Sequence, residues 1–87
     1  MGRFEGGAFA SMAEAKPTVE DLFDLGMIYS AGREVAADLI AAHKWFNLAA
    51  VSGKREAAAY RQEVAREMSA AEVAEAQRAA REWLKAH

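Results

Sequence analysis

The chain has 87 residues, enough for one small domain that buries about 60 to 65% of its unfolded surface. Eleven basic and thirteen acidic residues leave a formal charge of −2, without the one-sided basic surface that a phosphate backbone demands, so nucleic acid is not expected as a partner. The absence of cysteine excludes disulfides and thiolate metal sites, and no run approaches the roughly 18 apolar residues that a membrane span requires.

Residues 1–16 carry three glycines and scattered Phe4, Phe9 and Met12 without a clear period, which reads as a flexible N-terminal tail. Glu5 and the small residues interrupt any apolar stretch of the kind a signal peptide needs. Order is expected from Pro17. Thr18 and Asp21 have the spacing of a helix cap, and the acidic first turn of Glu20 and Asp21 suits the helix dipole.

From Val19 to Ala31, the apolar residues Leu22, Leu25, Ile28 and Tyr29 recur at helical spacing, and Gly32 stands where a left-handed C-cap would end the helix. A loop from Gly32 to Ala37 leads to Asp38, a good N-cap. Leu39, Ala42, Trp45, Phe46, Ala49 and Ala50 then mark a second amphipathic helix ended by Gly53. Two helices joined by so short a loop pack as an antiparallel hairpin, and Gly26 would let them approach closely.

A third helix is expected from about Lys54 to Met68, with Ala57, Tyr60, Val64 and Met68 on its apolar stripe. Ser69 and Glu72 form a capping box that opens a fourth helix, Ala70 to Lys85, with the stripe Val73, Ala76, Ala80, Trp83 and Leu84. Much of the apolar content is alanine, so the core is expected to rest on Leu22, Leu25, Ile28, Tyr29, Trp45, Phe46, Leu48, Tyr60, Val64, Trp83 and Leu84. The fold class is all-α, with one hairpin over 17–53 and a second, capping hairpin over 54–87.

Taken together, Leu25, Gly26, Tyr29, Gly32, Val35 and Asp38 spell L-G-x-x-Y-x-x-G-x-x-V-x-x-D. Ala42, Trp45, Phe46, Ala49, Ala50 and Gly53 continue it as A-x-x-W-F-x-x-A-A-x-x-G. This pattern resembles the Sel-one-like repeat, a relative of the tetratricopeptide repeat. Glu34 departs from the glycine usual in that loop. A second copy begins over 53–58 but has Arg61, Gln62 and Ala65 where the first has Leu25, Gly26 and Tyr29, so the resemblance covers about 17–58. It implies a right-handed α-α superhelix with a C-terminal helical cap and a non-catalytic adaptor or scaffold role in protein–protein interaction. It also points towards bacterial relatives.

His43 has Phe46 and Asn47 at the positions where a second metal ligand would stand, and it reads as a surface histidine; His87 lies at the terminus. Ser11, Ser30, Ser52 and Ser69 lie in the tail or at helix ends, without the strand-to-helix elbow of an activated serine. Glu20, Asp21 and Asp24 suit a solvated helix start better than a paired-acid site. No cofactor or metal site is expected, and no enzymatic activity.

The candidate partner-binding residues are Val19, Phe23, Met27 and Ser30, on a face of the first helix adjacent to that facing the second. A preceding repeat would cover this face; here it packs against the third helix as part of the core, is covered by the N-terminal tail, or is available to a protein partner or a second copy of the chain. A small helix-turn-helix DNA-binding regulator fits the helix count but neither the charge nor the six-residue first loop, longer than that motif's turn, and an accessory subunit of an enzyme complex leaves no signature. The cytoplasm is the expected compartment, with the periplasm or secretion as alternatives.

Overall fold

The computed structural model describes residues 16–87, which form four helices and no strand: α1 Val19–Ala31, α2 Leu39–Val51, α3 Arg55–Ala65 and α4 Ala70–Ala86. The tail expected over 1–16 lies, apart from Lys16, outside the described residues. None of the described helices is long and apolar enough to cross a membrane.

Local chemistry fixes the helix starts. Thr18 accepts from the Asp21 amide at 3.1 Å while the Asp21 carboxylate accepts from the Thr18 amide at 3.0 Å, a reciprocal box that satisfies two otherwise orphaned donors. Ser69 and Glu72 repeat the device before α4 at 3.1 and 2.8 Å. Asp38 caps α2 by accepting from the Ala41 amide at 3.0 Å. Gly32 ends α1 with φ +71°, a conformation that suits glycine, and its amide donates to the Ile28 carbonyl.

Two boundaries differ from the sequence reading. The C-cap of α2 is Ser52, and Gly53 follows it at φ +117°. α3 stops at Ala65, where the reading ran to Met68, because Glu67 and Met68 make tighter i→i−3 bonds to Val64 and Ala65. That turn delivers Ser69 to its capping position.

The ends of the helices show how they are laid out. The Asp38 amide donates to the Tyr29 carbonyl, joining the start of α2 to the end of α1, while Lys54 beyond α2 reaches Glu20 at the start of α1, so these helices are antiparallel. The Arg61 guanidinium donates to Asn47 at 2.7 Å, and Glu67 shares a cleft with Leu39, so α3 runs back along α2. Glu72 lies near Asp38 and Trp83 against Trp45, so α4 runs parallel to α2. The arrangement centres on α2, which packs against all three others.

Phe46, Leu48, Leu22 and Val64 are the large buried side chains, and Ala42, Ala49, Ala57, Ala76 and Ala80 fill the rest of the core. The alanines allow close helix approach rather than much apolar burial. Gly26 does the same for α1: a Cβ there would stand 2.5 Å from the Phe46 ring. Leu25, Ile28, Tyr29, Trp45 and Trp83 are half-buried, whereas Tyr60 and Leu84, expected in the core, are 39% and 50% exposed.

Candidate functional site

Three aromatic rings tie α1 and α3 to α2. Phe23 meets Phe46 at 5.7 Å and Tyr60 at 5.4 Å edge-on, and Phe46 stacks on Tyr60 at 5.4 Å with 25° between planes. The Lys54 ammonium lies 5.0 Å over the Phe23 ring and 2.8 Å from Glu20, which raises its pKa chiefly through that hydrogen bond.

Alongside this cluster, α1 and α3 leave a groove of about 250 Å³ over α2. Leu39, Phe46 and Val64 give it an apolar lining, Met27 and Tyr60 flank it, and the Glu63 and Glu67 carboxylates add negative charge. Met27 is 38% exposed. The Ser30 hydroxyl also reaches the groove but donates to the Met27 carbonyl at 3.1 Å.

Of the four residues proposed from the sequence, the structure brings Met27 and Ser30 into this groove. Phe23 is turned inward: it is half-buried between Phe46 and Tyr60, which is the packing against the third helix that the sequence left open beside partner binding. Val19 is half-buried in the first turn of α1 and does not line the groove. Leu39, Tyr60, Glu63, Val64 and Glu67 were not singled out as partner-binding residues. Tyr60 and Val64, four residues apart on α3, and Glu67 in the turn that follows carry the spacing that places them together. Met27 also joins Ile28, Ala31, Arg33 and Glu34 around a second surface depression, of about 470 Å³, on the outer side of α1.

His43 is the clearest departure from the sequence reading. It is 3% exposed rather than on the surface, and its Nδ1 is buried without a hydrogen-bond partner among the described residues. Burial lowers its pKa, and the nearby Arg61 guanidinium adds to the shift. The sign of its burial was present in the spacing, since His43 follows Leu39 by four residues and precedes Phe46 by three. His87 is stacked on Trp83 at 4.3 Å, with its Nδ1 3.0 Å from the Trp83 carbonyl.

Asp21 and Ser69 are engaged in helix caps, and Glu20 pairs with Lys54 across the hairpin. Among the described residues no three His, Cys, Asp or Glu side chains gather as a metal ion would need. Compared with known proteins, the chain matches no family model, no curated protein and no solved structure.

Proposed function

We propose that this chain is a non-catalytic interaction module of Sel-one-like type, which holds a segment of a partner protein in the groove between α1 and α3. The observation that carries the reading is the groove itself. It combines an apolar lining, two half-open side chains able to close on an inserted residue, and carboxylates able to fix orientation. The α1–α2 hairpin supports the repeat reading, since its two packed antiparallel helices carry Leu25, Gly26, Tyr29, Trp45 and Phe46. Gly26 against Phe46 is the close approach that the L-G and W-F elements of the repeat imply.

The test places a photo-reactive residue at position 27 of the full chain and compares capture with that by the same protein carrying Tyr60→Ala. A partner captured at 27 and lost with Tyr60→Ala, at unchanged helical circular dichroism, is the expected outcome. Capture that is indifferent to Tyr60 overturns the groove as the binding site.

A second reading is self-association through the outer side of α1. There Met27, Ile28 and Ala31 border the larger depression and Val35 is 41% exposed. Sedimentation velocity decides it: a dimer abolished by Ile28→Glu supports it, and a monomer at every concentration rejects it.

A further inference from the structure

We propose that His43 makes the seam between α2 and α3 acid-labile: its neutral imidazole fits the buried site and its protonated form does not. The ring lies on the central helix, 3% exposed, with Nδ1 sealed from solvent and unpartnered. A proton on Nδ1 would create a buried donor with nothing among the described residues to accept from it.

The surroundings make that proton still less welcome. From α3, the charged group acting on the ring is the Arg61 guanidinium, held in place by donating to Asn47 at 2.7 Å. Asn47 lies one turn after His43 on the same helix, so the two cations would share one seam. The residues that α1 and α4 bury are Leu22, Gly26, Ala76 and Ala80, none of which carries a charge. No carboxylate among the described residues acts to stabilise an imidazolium there.

The direction with pH follows from linkage. Both states are neutral at this site above the ordinary histidine value of 6.5. Below it the unfolded chain takes up a proton that the folded chain, with its lowered pKa, refuses, so stability falls with pH until the folded value is reached. The local escape is for α3 to swing off α2 so that the ring hydrates. That movement displaces Tyr60, Glu63, Val64 and Glu67, and it follows whether or not the groove holds a partner.

The test is thermal unfolding of the full chain between about pH 7.5 and 5.0, compared with His43→Leu and with His87→Gln. The wild type and His87→Gln should lose melting temperature across this range by roughly 5–10 °C for every tenfold by which burial weakens the proton's binding. His43→Leu should lose markedly less. An equal loss in His43→Leu overturns the proposal. If that variant does not fold, an NMR titration of the wild-type imidazole replaces it. A His43 midpoint below that of a free histidine, with Arg61 and Asn47 side-chain signals shifting in step, supports the proposal. An ordinary midpoint, or a titration that leaves those signals still, overturns it.

Discussion

A methyl group at position 26 would collide with a ring that cannot easily withdraw. The Phe46 ring is fully buried and lies against Phe23 and Tyr60 at 5.7 and 5.4 Å, so the 2.5 Å approach of a new Cβ cannot be relieved by a rotamer change alone. Alanine would gain about 1 kcal/mol of helix propensity over glycine. Overpacking a closed core costs about 1–3 kcal/mol, and here the second effect should win. Gly26→Ala is therefore expected to lower the urea midpoint by an amount equivalent to about 1 kcal/mol, with the slope unchanged. A raised midpoint would mean that α1 and α2 are not as close as the Gly26–Phe46 distance implies. At this scale the sequence was informative where a glycine marks a geometric need, the left-handed cap at Gly32 and the close helix approach at Gly26. It misled at His43, because a polar side chain on an apolar stripe was assigned by its chemistry rather than by its place on the helix.

The helices were legible from the sequence because their starts are written in side chains. Thr18, Asp38 and Ser69 each accept from an amide three residues on, and those bonds depend on no tertiary partner. The end of α3 was not legible, since its last turn tightens to serve the next helix and no glycine or proline marks it. The same dependence makes Ser69 a sensitive site. Ser69→Ala leaves the Glu72 amide without its acceptor and is expected to cost about 1 kcal/mol, or roughly 4–8 °C in melting temperature. Ser69→Asp keeps an acceptor in the same place and should retain most of the stability. Equal melting temperatures for Ser69→Ala and the parent would show that water replaces the cap without loss. The groove was half legible for a related reason. The spacing put Met27 and Ser30 on one face of α1, but which helix would stand opposite is a matter of tertiary packing, and α3 both covers Phe23 and supplies the far wall.

Across the whole molecule, α2 is the common partner of the other three helices, and its burial is correspondingly deep: Ala42, His43, Phe46, Leu48 and Ala49 are all buried. α4 is attached differently. It buries Ala76 and Ala80, and its largest anchor is Trp83, half-buried edge-on against Trp45 at 5.8 Å with His87 stacked on its other side. Neighbours of Trp83 at the end of the chain, Arg81, Glu82, Leu84 and Lys85, are exposed. Stability should therefore be graded, with α2 amides exchanging hydrogen only on global unfolding and the second half of α4 exchanging through local opening. Trp83→Ala sharpens the distinction. Truncating a half-buried tryptophan should cost about 2 kcal/mol, below the range for a fully buried one, and the loss should fall on the helix that the ring anchors. Protection in α4 is expected to drop roughly thirtyfold while that of the Phe46 and Ala49 amides falls by less. A uniform fall across α1 to α4 would show instead that the four helices open as one cooperative unit, with α4 as integral to the fold as the hairpin that precedes it.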